Sequence, residues 1–375
     1  MSTDGKTRAW MELRADALRR NLARIRASVG PGVRLVPMVK ADAYGVGVAG
    51  AVAALTPEDP WGFGVAAVEE GTRLRSLGVE RPVLVLSPVP PGSVAAAVDA
   101  RLTVSVSGFE TLDLLREAAA GRSVAFHLEV DTGIGRAGFD WREATSWGPR
   151  ALEAHASGVR WAGCFTHLHS ADENAVSVDE QWRRFQEAMA VSGRPPGDFL
   201  VHALNSAGAL RCPRYAADLV RPGIFLYGGS AGEGLPAPDE VASVRARVVH
   251  VRSASAGTTL GYRSTYRSAG DERWATVSIG YGDGLPRILG NRGHALVRGC
   301  RVPIVGRISM DVTVVDITHV ADVRPGEVAT FIGADGGERI SLDEVARVSG
   351  TISYEVLTGF TPRLTRIWTD AGHGS

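Results

Sequence analysis

The spacing of its apolar runs restricts this chain most. Short stretches rich in Val, Leu, Ile and Phe fall at 34–40, 62–66, 83–88, 103–108, 125–131, 161–168, 199–206 and 219–227, and segments of helical composition, such as 109–120 and 179–190, lie between them. Strands alternating with helices pair in parallel, because the crossover returns the chain in its original direction. Eight such units fit a closed (β/α)8 TIM barrel better than an open sheet. The rhythm breaks at the Gly/Pro/Ser stretch 228–239. Beyond it strands dominate, at 244–252, 272–280, 295–306, 311–317 and 328–333, followed by a helix near 342–348 and a strand-like tail. Two domains are expected: a barrel over residues 1–235 and a mostly β domain over 236–375. Residues 8–13 precede the first barrel unit and could pair back with the second domain.

Composition narrows the function classes. Lys+Arg and Asp+Glu number 41 each among 375 residues, a balance that favours neither a nucleic-acid backbone nor an anionic membrane as partner. Cys164, Cys212 and Cys300 are far apart and odd in number, which suits a reducing compartment and argues against a disulfide framework or a zinc ribbon. No metal site is expected. No uncharged apolar run reaches the roughly 18 residues of a spanning helix. No apolar stretch follows Met1–Lys6, so a secretory leader is not expected and a cytoplasmic location is.

Only two of the 41 basic residues are lysines, Lys6 and Lys40. Codon bias toward arginine accounts for most of that imbalance. It still raises the question of what Lys40 supplies that an arginine could not: an amine able to lose its proton and form a Schiff base. The barrel reading places Lys40 at the end of strand one, Arg136 after strand five, His167 near the end of strand six and Ser206 at the end of strand seven. Arg221 and Gly223 lie in the eighth segment. Active sites of such barrels gather at that end, with phosphate commonly held after strands seven and eight. An imine-forming lysine, a ring-stacking histidine and a phosphate cradle point together to pyridoxal phosphate. Two matches to G-x-G-x-x-G, at Gly45-Gly47-Gly50 and Gly133-Gly135-Gly138, lack the strand–turn–helix context of a dinucleotide site and are expected by chance among 45 glycines.

At these residues the chain resembles the bacterial alanine racemases. VPMVKADAYGVG (36–47) is similar to their cofactor-lysine segment, and further likeness runs in order through WGFGVAAVEEG (61–71), DTGIGRAGF (131–139), FTHLHSADE (165–173), HALNSAG (202–208) and VRPGIFLYG (220–228). It continues through GYRSTY (261–266), SIGYGDGLPR (278–287), VGRISMDVTVVD (305–316) and SYEVLTGFTPR (353–363). The resemblance implies a pyridoxal-phosphate enzyme that interconverts L- and D-alanine for peptidoglycan, with Lys40 and Tyr262 as its two acid–base groups. It implies that Arg221 faces the pyridine nitrogen, that His202 orients Arg221 and that His167 contacts the ring. Tyr44, Ser206, Gly223, Ile224 and Tyr354 match phosphate contacts, and Arg136, Met310 and Asp311 match substrate and entry positions. In that family Tyr262, Met310 and Asp311 would serve the neighbouring subunit's site, which implies a homodimer. One position departs from the pattern: many members carry a carbamylated lysine where this chain has Glu129, whose carboxylate could hold Arg136 directly. The alternative for Glu129 is a strand carboxylate facing solvent. Rival readings are a racemase of serine or another amino acid, a fold-related decarboxylase, which would set an acid in place of Arg221, and a non-catalytic cofactor-binding barrel, which would lack the β domain.

Overall fold

The computed structural model describes residues 6–370. Its first part is a parallel (β/α)8 barrel. The strands are Arg34–Leu35, Phe63–Val65, Val83–Val85, Thr103–Val106, Val124–Asp131, Val159–Phe165, Leu200–His202 and Leu219–Val220. Each pairs in parallel with a neighbour in sequence from Phe63–Val65 to Leu200–His202. Closure comes from Leu219–Val220 beside Arg34–Leu35, from a bridge between Met38 and Gly64, and from the Arg221 N–H donating to the Leu204 carbonyl at 2.9 Å. Strands covered on both faces need continuous apolar sequence, and Val83, Leu84 and Val85 are all buried.

The first barrel strand is much shorter than the apolar run 34–40. Pro37 has no N–H for a ladder, and the chain then turns the opposite way from an ordinary helix. Ala41, Asp42, Ala43 and Tyr44 have φ of 51°, 53°, 56° and 57°, one left-handed turn directly after Lys40. It is closed by Ala43 N–H to Val39 O at 2.9 Å and Gly45 N–H to Ala41 O at 2.8 Å.

The remaining chain builds a mostly β domain. One continuous path of its sheet runs Cys300–Pro303, His294–Val297, Val328–Asp335, Ala242–Ala254, Ala9–Arg14 and Thr365–Thr369. Ala9–Arg14 lies between two strands of the C-terminal part, antiparallel to Ala242–Ala254 and parallel to Thr365–Thr369. The apolar run 295–306 is a hairpin rather than one strand. Val297 pairs with Cys300 across Arg298 and Gly299, whose φ values of +51° and +74° suit a two-residue turn. An arginine in that conformation gives no turn signal in the sequence. Helix Leu342–Ser349 starts where Ser341 Oγ accepts from Glu344 N–H at 3.0 Å. Among the described residues no helix is long and apolar enough to cross a membrane.

Candidate active site

The carboxyl ends of the barrel strands surround a cavity of about 360 Å³, inside the range of small-molecule sites. Lys40, Tyr44, Glu129, Arg136, His167, Ser206, Arg221, Gly223, Ile224 and Tyr354 all line it. Residues far apart in sequence therefore converge on one wall, and Tyr354 comes from helix Ser353–Thr358 of the C-terminal part.

Lys40 is positioned by backbone. Glu70, near the start of helix Val68–Ser76, accepts the N–H groups of Ala41 at 2.7 Å, Ala66 at 2.8 Å and Ala67 at 3.2 Å, and so ties the left-handed turn to the end of the second strand. Sequence reasoning did not single out Glu70. Its signal is an acid in the first turn of a helix that follows a strand. Burial, then the charge of Arg136, lowers the pKa of the Lys40 amine, so its neutral form is favoured more than in water.

Arg221 is almost fully buried. Its Nη2 donates to the carbonyls of Thr166 and Ala203 at 3.0 Å each, and its Nη1 donates to His202 Nδ1 at 2.5 Å. Burial brings its pKa down to about 10, still a cation at neutral pH. His202 does not line the cavity; it stands behind Arg221. Burial and the cations Arg221, Arg136 and Lys40 push His167 down to about 3, so that ring is neutral.

The hydroxyls cluster at another part of the wall. The Gly223 N–H donates to Ser206 Oγ at 2.7 Å. A Cβ on Gly223 would lie 2.1 Å from Tyr44 Oη, so only glycine leaves room for that phenol. Tyr44 is stacked on Tyr227 at 4.7 Å and tilted against Tyr354 at 5.9 Å. Burial raises the pKa of Tyr44 and pushes Tyr354 up to about 12, so both remain protonated donors. Three cations, Lys40, Arg136 and Arg221, face one carboxylate, Glu129, which suits an anionic ligand. The amine, the donor-only guanidinium and the hydroxyl cradle fit pyridoxal phosphate: an aldehyde, a ring nitrogen and a phosphate.

Glu129 is 2% exposed, which corrects the solvent-facing alternative. Ser107 Oγ donates to its Oε2 at 2.7 Å, and among the described residues no ion pair within 4 Å joins it to Arg136. Three further candidates stand apart from this cavity. Tyr262, in the turn Tyr262–Ser264, is 66% exposed and Met310 is 52% exposed. Asp311 pairs with Arg363 Nη2 at 2.6 Å on the surface. Among the described residues no group of His, Cys, Asp and Glu is placed to hold a metal ion.

Comparison with known proteins agrees with this arrangement. Residues 13–231 match the alanine racemase N-terminal domain and residues 241–368 the alanine racemase C-terminal domain. The chain belongs to the alanine racemase family. A relative named alanine racemase from Syntrophobacter fumaroxidans is 35% identical over 93% of this chain and 94% of its own length, and one from Symbiobacterium thermophilum is 37% identical over 98% and 99%. The solved alanine racemase from the D-cycloserine producer Streptomyces lavendulae superposes with a TM-score of 0.92 at 31% identity, covering 97% of this chain and 98% of that one. Its alanine racemase fold makes this chain an isomerase.

Proposed function

We propose that the chain interconverts L- and D-alanine with pyridoxal phosphate and two bases, Lys40 of one subunit and Tyr262 of its partner, in a homodimer with shared sites. Lys40 and its surroundings carry this reading: a set-in amine of lowered pKa, beside Arg136 and Arg221, in the same cavity as the hydroxyls of Tyr44, Ser206 and Tyr354. When bound, pyridoxal phosphate supplies an aldehyde for amines and a conjugated ring that draws electrons from the substrate's α-carbon. Lys40 Nζ is the amine that would hold it. Once released, the same nitrogen is neutral enough to take or return the α-proton on one face. Racemisation needs a second base on the opposite face, and the cavity wall offers none that matches Lys40. The exposure of Tyr262 and Met310 supports their delivery, with Asp311, to a second subunit.

Arg221 sets a donor-only cation against the ring nitrogen. Arginine gives up a proton reluctantly, so the ring stays a weak electron sink and side reactions are limited. Tyr44, Ser206, Tyr354 and the backbone of Gly223 and Ile224 hold the phosphate, His167 contacts the ring, and His202 orients Arg221. Arg136 takes the substrate carboxylate, with Glu129 as its support. The reading divides the chain near residue 235 into a cofactor-binding barrel and a β domain that carries the second base. It assigns the enzyme to the cytoplasm, supplying D-alanine for peptidoglycan.

The test is exchange of D- and L-enantiomers over a panel of amino acids, with purified protein and added pyridoxal phosphate. Alanine should racemise in both directions, and Lys40→Ala should abolish it. A loaded protein that leaves alanine untouched, or an active Lys40→Ala, overturns the proposal. Exchange of serine without alanine moves it to the serine alternative.

A further inference from the structure

Behind the cavity wall, side chains from three barrel strands or their ends join in one hydrogen-bonded chain. Arg221 Nη1 lies 2.5 Å from His202 Nδ1, and His202 Nε2 lies 2.7 Å from His127 Nδ1. His202 is 0% exposed and His127 2%. The direction of this chain follows from what each group can do. A guanidinium has donors only, so His202 Nδ1 must present its lone pair. A neutral imidazole then carries its proton on Nε2, where it can only donate. His127 Nδ1 must accept it, which leaves the His127 proton on Nε2. A proton on the other nitrogen of either ring, or a second proton on either, would set N–H against N–H.

We propose that His127 is a positioning residue: by accepting from His202 Nε2–H it locks His202 in the tautomer that receives Arg221, and so fixes the guanidinium that faces the cavity. The packing is built around this arrangement. Gly163 is in register with His127 on the next strand, and a Cβ there would lie 2.9 Å from His127 Cε1 and 3.0 Å from its Nδ1. The His202 ring is stacked on Phe165 at 4.9 Å with 4° between planes, and the Arg221 guanidinium sits 5.2 Å from the same Phe165 ring. His202 is therefore held against sliding, and its proton placement is the remaining freedom. His127 removes that freedom. Burial, followed by the charges of Arg160 and Arg221, brings the pKa of His127 down to about 3, and His202 is lowered by burial, Arg221 and His127, so both rings stay neutral. The catalytic consequence rests on the racemase reading; the tautomer assignment does not.

Long-range proton–nitrogen correlation on protein labelled with 15N-histidine reads the tautomers directly, with a His202→Asn variant to assign the signal. In the wild type at pH 7, His202 should carry its proton on Nε2. His127→Leu removes the acceptor, and His127→Gln returns an amide oxygen to the same position. His202 should become a mixture of tautomers in His127→Leu and revert in His127→Gln. With pyridoxal phosphate and alanine, His127→Leu should lower kcat by roughly 10- to 100-fold with KM little changed, and His127→Gln should recover most of the loss. A His202 proton on Nδ1 in the wild type overturns the proposal, as does a His127→Leu enzyme with wild-type kcat or a His127→Gln enzyme no better than His127→Leu. If His127→Leu does not fold, the wild-type tautomer decides alone. Failure of the racemase reading would show separately, as a wild-type protein that does not racemise alanine while its tautomers remain as assigned.

Discussion

Glu129 places a carboxylate in a wall otherwise lined by cations, and a single proton decides its value there. Burial raises its pKa, while Ser107 and then Arg136 lower it, so the site is charged only because its neighbours favour charge. A glutamate needs no carbon dioxide to become an anion. Added bicarbonate should therefore leave the activity unchanged, and Glu129→Gln should raise the KM for alanine by roughly 3- to 10-fold, about 1 kcal/mol of lost orientation at Arg136, with kcat less affected. Steady-state kinetics with and without bicarbonate check both; a wild-type KM in Glu129→Gln would make the residue structural. Tyr262 is tested by Tyr262→Phe, which should keep the fold and the cofactor yet slow racemisation at least ~10²-fold, the range of a lost general base. Unchanged rates in both directions would remove Tyr262 from the mechanism. Gly223 has a steric role. Gly223→Ala would drive a methyl into Tyr44 Oη, so titration followed by cofactor absorbance should show affinity weakened by about 10-fold or more, with the fold retained.

The left-handed turn Ala41–Tyr44 shows what an element can cost. Each L-residue in that conformation carries roughly 1–2 kcal/mol of steric penalty, and four in succession persist only where the surroundings over-determine them. Those surroundings are Glu70, which takes the Ala41 N–H, and Arg366, whose Nη2 donates to the Gly45 carbonyl at 2.8 Å. Ala41 is exposed, so Ala41→Gly loses no packing and should stabilise the protein by roughly 0.5–1 kcal/mol, read from its urea midpoint. A lower midpoint would mean the turn is not strained at Ala41. This element was not legible in the sequence: ADAY has no glycine, and single-residue preferences disfavour the backbone it adopts. The eight-strand barrel was legible, because buried parallel strands require short continuous apolar runs. The convergence of Lys40, Arg136, His167, Ser206 and Arg221 was legible once those strands were placed. Glu70 and His127 were not, since each acts through a backbone group or another side chain rather than on the cavity.

Over the whole molecule, His127, His167 and His202 are kept neutral. Their pKa values are lowered from 6.5, those of His127 and His167 to about 3. Between pH 6.5 and about 3 the unfolded chain takes up protons that the folded one refuses, so stability rises with pH across that window. Each histidine contributes a slope of up to about 1.4 kcal/mol per pH unit. Glu129 and Glu240, whose pKa values are raised, act in the opposite sense above 4.5 but are fewer. Denaturant midpoints should fall as pH drops from 7 to 5; a flat profile would mean that water reaches these rings. The strand Ala9–Arg14 adds a constraint of a different kind. It is among the first segments to be made, yet its two neighbours in the sheet, Ala242–Ala254 and Thr365–Thr369, are made last. At about 5–20 residues per second, synthesis takes roughly 10–45 seconds to bring the first of them out. During that interval the emerging chain exposes an apolar strand edge, and a growing barrel stands beside it. The ribosome and whatever shields that edge therefore share in setting the yield of folded protein.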